Sequence, residues 1–339
     1  MSVVERGSAG PAGVVEARPT RRGTPRRSTI LKIVVTIFLA GYVLWQARLG
    51  DALAELGDAD WRYVLLATCF AVLAMILNVA RWQLMLHGQG ARAPLPSLVR
   101  LYLIGMFFNN ILPSRLGGDV VRAYGASILA TSKTRSVAAV LMDRLVGATS
   151  VLLLGVLALA LNPTVFPWQL GELLVVGLGG MVLILGVLLS RSPLSASVRS
   201  RLSRLATFSL FGLRLGARLS AGVEAVRSYA RARGLIGRAL VISMVANGLS
   251  IVNLSLYSFA VSADVSLAQV AVVAPVILAV GLLPLSINGI GTIELTFVVL
   301  FGALGVEGHV ALAIALLRRL VLLVLSLVGG ALYAVRRFA

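Results

Sequence analysis

The sequence predicts an all-α, polytopic membrane protein: about six transmembrane helices plus two re-entrant helical hairpins arranged as an inverted repeat. Three observations predict it. The first is hydropathy: 58% of the 339 residues are hydrophobic and only 13% are charged, with a mean hydropathy of +0.95. Several windows reach the ~20 apolar residues that span a bilayer as a helix, which also argues against a barrel. The second is a pair of interrupted apolar segments. One runs Phe107-Phe108-Asn109-Asn110-Ile111-Leu112-Pro113-Ser114-Arg115-Leu116-Gly117-Gly118-Asp119, and the other runs from Leu283-Pro284 through Asn288-Gly289-Ile290-Gly291 to Glu294. Each reads Leu-Pro, four residues, then Gly, with a carboxylate shortly after. Lipid has no partner for the N–H and C=O groups freed by such a break, so it is tolerated at membrane depth only inside protein or beside a wet cavity. The third observation is charge, which assigns a side to each loop.

Residues 1–28 are rich in Gly, Pro, Ser and Arg without apolar period, and read as a disordered basic cytoplasmic tail. The rest, 29–339, reads as one transmembrane domain with halves at about 29–161 and 170–339. A first helix at about 30–46 lacks a small-x-small cleavage site and is expected to be retained. The following loop carries Asp51, Glu55, Asp58 and Asp60 against Arg48, so it should face outward. A second helix at about 61–86 returns to a loop with Arg92 and Arg100. The first broken segment, about 97–130, leaves through Lys133 and Arg135; positive charge at both ends makes it a hairpin entered from the cytoplasm. Helices at about 136–161 and 170–190 follow.

The stretch 191–238 is dense in arginine. Leu215, Leu219, Val223 and Val226 recur at helical spacing, as do Arg214, Arg218, Arg227 and Arg231. Two readings stand: an amphipathic cytoplasmic helix on anionic lipid, or an ordinary solvated face. A helix at about 235–261 then crosses to a loop with Asp264. The second broken segment, about 267–304, and a last helix at about 309–335 complete the chain, with Arg336-Arg337 placing the C-terminus inside. The second hairpin is therefore entered from outside. Helix, helix, hairpin, helix from one side is followed by the same order from the other, a common construction of transporters.

The formal charge of +18 fits positive-inside loops better than nucleic-acid binding. The single cysteine, Cys69, excludes an internal disulfide, and His87 and His309 form no metal-spaced cluster. No metal, cofactor or catalytic motif is expected. No Gly-rich loop with Lys and Ser/Thr is present, which argues against ATP drive within the chain.

Ionisable residues inside apolar helices carry the functional expectation. Asp143 lies eight residues past Arg135, roughly 12 Å along a helix at about 1.5 Å per residue. Arg318 and Arg319 are similarly deep in the last helix. Such groups are costly in a bilayer and should face a partner or a cavity. Helical neighbours diverge by about 100°, so Asp143 and Arg144 cannot simply neutralise each other. Partners are expected from the hairpins: Asp119, Arg122 and Glu294. A structural ion pair and a ligand pathway are both open readings. Gly117-Gly118 and Gly289/Gly291 would supply an anion site if each opens a short helical arm with free N–H groups; otherwise they let the hairpin turn and pack. Asn109, Asn110 and Asn288 either bind a polar headgroup or satisfy loosened backbone. Arg81-Trp82 reads as interfacial anchoring.

These residues carry a resemblance. Arg81-Trp82, Asn110 through Asp119 with Arg122, Asp143-Arg144-Leu145, Pro284 through Glu294, and Arg318-Arg319-Leu320 resemble the transmembrane region of lysylphosphatidylglycerol synthase, also found as stand-alone flippase-like membrane proteins. In that family the acidic residue before the helix arginine is often Glu, where this chain has Asp143. The resemblance implies a bacterial cytoplasmic-membrane protein that moves a lipid between leaflets. The soluble aminoacyl-transferase domain of the fused members is not expected here.

The expected function is a non-enzymatic translocator of an anionic phospholipid or other lipid-phosphate. Arg115, Arg122, Arg144, Arg318 and Arg319 would hold the phosphate, with Asn110, Asn288 and the glycines at the hairpins and Asp119, Asp143 and Glu294 as charge partners. The alternatives are a membrane enzyme acting on a lipid-phosphate, or an accessory subunit working with a partner enzyme; a homo-oligomer is also compatible. The cavity reading requires the two hairpin tips to meet, and Arg144 and Arg319 to face protein rather than lipid.

Overall fold

The structure, a computed structural model, describes residues 27–111, 117–130, 133–163, 168–189, 229, 233–283 and 285–337. These form eleven α-helices and a 3₁₀ turn, with no strand among the described residues. The helices are α1 (Arg27–Gln46), α2 (Leu49–Asp58), α3 (Trp61–Gly88), α4 (Leu95–Ile111), α5 (Gly117–Ala130), α6 (Lys133–Leu161) and α7 (Trp168–Leu189). After them come α8 (Arg233–Ala260), α9 (Leu267–Leu282), the 3₁₀ turn Ile287–Gly289, α10 (Thr292–Gly302) and α11 (Gly308–Arg337).

Four of them, α3, α6, α8 and α11, are long and apolar enough to cross a membrane among the described residues. The other two expected spans are helices of 20 and 22 residues, α1 and α7. Both interrupted segments divide near the expected positions, α4 from α5 and α9 from α10. Arg115 and Pro113, Pro284, and the arginines between 191 and 232 lie outside the described residues.

One expected loop is a helix. Asp51, Glu55 and Asp58 sit on α2, where Ala52 is buried and Leu53 exposed. Ala52 joins the core with Val43 and Ala47, so burial of a small apolar face holds the acidic stretch in helical form. Turn chemistry marks the other starts. The Asp60 carboxylate accepts the Arg62 N–H at 2.9 Å to open α3, and a Ser266/Gln269 capping box opens α9.

The core is divided in two. One cluster, built on α8 to α11, holds Tyr257, Phe297, Phe301, Ile314 and Leu317. The other, built on α3, α4 and α6, holds Trp82, Met85, Leu98 and Met142. Tyr229 closes the second cluster, donating its hydroxyl to the Met85 carbonyl at 2.5 Å; burial raises its pKa above the ordinary phenol value. The halves of the chain interlock. α3 lies along α8, α4 packs on α11, and α9 packs on α6. Arg100 ties α4 to the Leu332 carbonyl of α11 at 3.1 Å. Large apolar side chains such as Phe38, Trp45, Leu65 and Val176 remain exposed, as a surface solvated by acyl chains requires.

Candidate functional site

The break after α4 is closed by its own side chains. The Gly118 N–H donates to the Asn109 side-chain oxygen at 2.7 Å. A Cβ at Gly118 would collide with the Gly105 carbonyl and with Asn109, so the α4 and α5 backbones approach as only glycine permits. The second break is closed likewise. The Gly291 N–H donates to Glu294 at 2.7 Å, and Gly291 has φ +78 with Leu39 and Ala40 of α1 against it. Ile287 donates its N–H to the Thr36 hydroxyl at 2.9 Å. At the two helix starts the Gly118 and Gly291 N–H groups are thus engaged by protein side chains.

The tips of the two broken segments meet. Asn288, at φ 50 in the left-handed region that Asn tolerates, donates its amide to the Asn110 oxygen. Asn110 in turn donates to the Ser326 hydroxyl of α11 at 2.7 Å.

Eight charged groups of the described residues gather near these segments. Asp143 is 2% exposed and accepts from Arg81 at 2.7 Å and from Arg122 at 3.0 Å. Asp119 is held by Arg144 through two hydrogen bonds of 2.9 and 3.0 Å, the fork geometry that guanidinium favours with carboxylate. Glu294 accepts from Arg319 at 2.5 Å. The carboxylates are thus paired with helix arginines as expected, and Asp143 and Arg144 take separate partners. Arg122 is also stacked, its guanidinium 4.3 Å from the Trp82 ring centre and 4.8 Å from that of Tyr102, a geometry worth about 2 kcal/mol where desolvated.

This overturns the reading of Arg81-Trp82 as an interfacial anchor. Arg81 is 7% exposed and Trp82 is fully buried. Arg81 donates additionally to Ser243 of α8, which continues to Ser150 at 2.6 Å and on to Asn247 at 2.6 Å. The signal was present in the sequence: a buried carboxylate needs more than one donor, and Arg81 lies within an apolar helix rather than after it.

A cavity of about 370 Å³ opens between α3, α4, α6, α8, α9 and α11. Arg144 and Arg318 line it, as do Asn78, Tyr102, Asn247, Ser250, Asn253 and Tyr257. Arg144 keeps 45% of its side chain accessible. Arg318 has no carboxylate or hydrogen-bond partner among the described residues. Arg122 and Arg319, and the hairpin residues Asn110, Gly117, Gly118, Asn288, Gly289 and Gly291, lie outside its lining. Among the described residues, five guanidinium groups face three carboxylates, an excess of two positive charges.

Together these features define an α-helical multi-pass membrane protein with a cationic, partly open cavity between its helices. The chain belongs to the lysylphosphatidylglycerol synthase TM region family, whose model matches residues 29–330. It is similar to a UPF0104 membrane protein of Pyrococcus horikoshii, 24% identical over 322 residues, which covers 89% of this chain and 95% of the relative. A UPF0104 membrane protein of Methanocaldococcus jannaschii is 25% identical over 314 residues, covering 90% and 93%. One from Methanothermobacter thermautotrophicus is 25% identical over 313 residues, covering 87% and 91%. These relatives are archaeal, so the likeness extends beyond the bacterial membranes implied by the resemblance.

Proposed function

We propose that this chain is a non-enzymatic lipid translocator that takes an anionic or phosphate-containing headgroup into the central cavity while the acyl chains stay in the bilayer. The observation that carries the reading is Arg318, a cation on the cavity wall without a carboxylate partner among the described residues. An ionised group held in a membrane interior costs several kcal/mol unless something compensates it. A ligand phosphate supplies that compensation, and the accessible Arg144 adds a second cation to the cavity wall.

The packing supports an inverted repeat. The first arm of each broken segment lies on the last long helix of the other half, α4 on α11 and α9 on α6. Each second arm opens with a carboxylate that grips an arginine 25 residues further on. Rocking of one half against the other would expose the cavity to each leaflet in turn, with both termini cytoplasmic as the arginine distribution implies. Asp119, Asp143 and Glu294 each accept from guanidinium groups, which suits positioning rather than proton abstraction.

Reconstitution tests this. Purified protein in vesicles carrying acyl-labelled phosphatidylglycerol is expected to equilibrate the label between leaflets faster than empty vesicles, and Arg318→Ala and Arg144→Ala should each lose at least nine-tenths of that rate. Wild-type vesicles indistinguishable from empty ones across several anionic lipids would overturn the proposal.

A further inference from the structure

We infer that Asn247 reads the headgroup: fixed by Ser150 and Ser243 at the end of a hydrogen-bond chain rooted in Arg81, it offers the cavity an acceptor that favours lipids whose headgroup carries an O–H or N–H donor; this rests on the translocator reading above.

α8 carries a polar stripe. Ser243, Asn247 and Ser250 follow one another at spacings of four and three residues, so they share one face of the helix. Arg81 of α3 donates to the Ser243 hydroxyl. Gly147 of α6 makes room for this contact, since a Cβ there would stand 3.2 Å from the Arg81 guanidinium. Asp143 accepts from the same guanidinium at 2.7 Å, so an ion pair fixes the origin of the chain.

Each proton along the chain has an assignment. The Ser150 hydroxyl donates to the Gly147 carbonyl at 2.9 Å, and a hydroxyl has one proton to give. Ser150 therefore accepts from its two other neighbours, the Ser243 hydroxyl and the Asn247 amide, each at 2.6 Å. Asn247 must turn one N–H to Ser150, which leaves its oxygen and its second N–H for the cavity that it lines. Neither has a hydrogen-bond partner among the described residues. The oxygen is not sealed in either: among the described residues, the fully buried polar side-chain atoms without a partner are Trp82 Nε1, Arg100 Nε and Arg122 Nε.

A chain that only tied α3, α6 and α8 together would end on protein. This one ends on an acceptor in the wall that also carries Arg144 and Arg318. With a phosphate drawn to those cations, the second Asn247 N–H can donate to a phosphoryl oxygen, and the carboxamide oxygen is left for the rest of the headgroup. An acceptor covered by a ligand without a donor loses its water with no replacement, whereas an O–H or N–H restores the bond. A site of this kind discriminates by the donor a ligand brings and leaves net charge to the arginines.

Two charge-matched pairs of acyl-labelled lipids in the same proteoliposomes test this: phosphatidylglycerol against phosphatidylmethanol, and phosphatidylethanolamine against phosphatidylcholine. The first member of each pair carries a headgroup donor and the second does not. Wild type should exchange the first at least fivefold faster. Asn247→Ala and the near-isosteric Asn247→Leu should bring both ratios within twofold of one. Ser150→Ala, which leaves the amide in place without its anchor, should lower both ratios, and adding it to Asn247→Ala should change them no further. Equal exchange within either pair by wild type would overturn donor recognition, while exchange itself leaves translocation standing. Ratios that persist in Asn247→Leu would overturn the assignment to Asn247. A lower Tm with equal slowing of all four lipids in Ser150→Ala would overturn the positioning role, because a chain that merely ties helices behaves that way. No exchange of any lipid would instead sink the translocator reading and this inference with it. The wild-type ratios decide donor recognition even if no variant folds.

Discussion

The two broken segments and the helix after each are built alike but charged differently. In the first, Asp119 opens α5 and holds Arg144; in the second, Glu294 opens α10 and holds Arg319, each across 25 residues. The residue before the held arginine differs in sign: Asp143 in α6, Arg318 in α11. Asp143 is held by Arg81 and Arg122, and the Trp82 ring stacks on Arg122. Arg318 has as its neighbours Tyr257, its own chain neighbour Arg319, and Glu294, whose oxygens are already engaged. One shared frame therefore yields a satisfied, structural charge on one side and an unsatisfied one on the other. The difference teaches that burial of an ionisable group is not by itself a functional sign. Lack of a partner is.

The largest effect expected from breaking this contrast is at Asp143. Asp143→Ala leaves Arg81 and Arg122 without their anion, and removing one member of a buried pair costs about 3–5 kcal/mol. Thermal unfolding in detergent should show a clear loss of Tm or of monodisperse protein. Arg318→Ala should do the reverse, keeping or raising Tm because it removes a half-buried cation that makes no ion pair or hydrogen bond among the described residues, while leaflet exchange falls at least tenfold.

Next in size is the Trp82 contact. Trp82→Leu removes a ring from a stacked, buried guanidinium and leaves a void, which large-to-small core changes put at a few kcal/mol; Trp82 fluorescence should be shielded from aqueous quenchers before the change. Smaller still is the Asp119–Arg144 pair. Because Arg144 is nearly half accessible, a double-mutant cycle with alanine at both positions should give a stability coupling below about 1 kcal/mol, although exchange is lost in either single variant. Least of all, Asn288→Ala should cost about 1 kcal/mol for the loss of its hydrogen bond to Asn110, read as a small Tm shift.

The parts of this arrangement visible in the sequence are those where residues contradict their surroundings. Asn109-Asn110 and Gly117-Gly118 inside an apolar run, and Asp143-Arg144 or Arg318-Arg319 inside a span, are local conflicts that a helix in lipid cannot tolerate without cause. The pairing of the Asp119 and Glu294 carboxylates with helix arginines followed from depth and from the 100° turn between neighbours. Arg81 was misread because its partner lies 62 positions away, and an arginine near a helix end looks interfacial until packing buries it. The cavity wall was missed for a similar reason. Asn78, Asn247 and Asn253 are scattered over two helices, and only the α3–α8 contact brings them to one surface. For the glycines proposed to bind phosphate, how many N–H groups a helix start leaves open depends on side chains that fold back onto it. Here Asn109 and Glu294 do so.

The most direct test measures Tm and leaflet exchange on the same preparations of wild type, Asp143→Ala and Arg318→Ala. The account predicts that Arg318→Ala retains wild-type Tm and loses exchange, whereas Asp143→Ala loses stability first. An Arg318→Ala protein that exchanges lipid at the wild-type rate, or that unfolds as readily as Asp143→Ala, would contradict it.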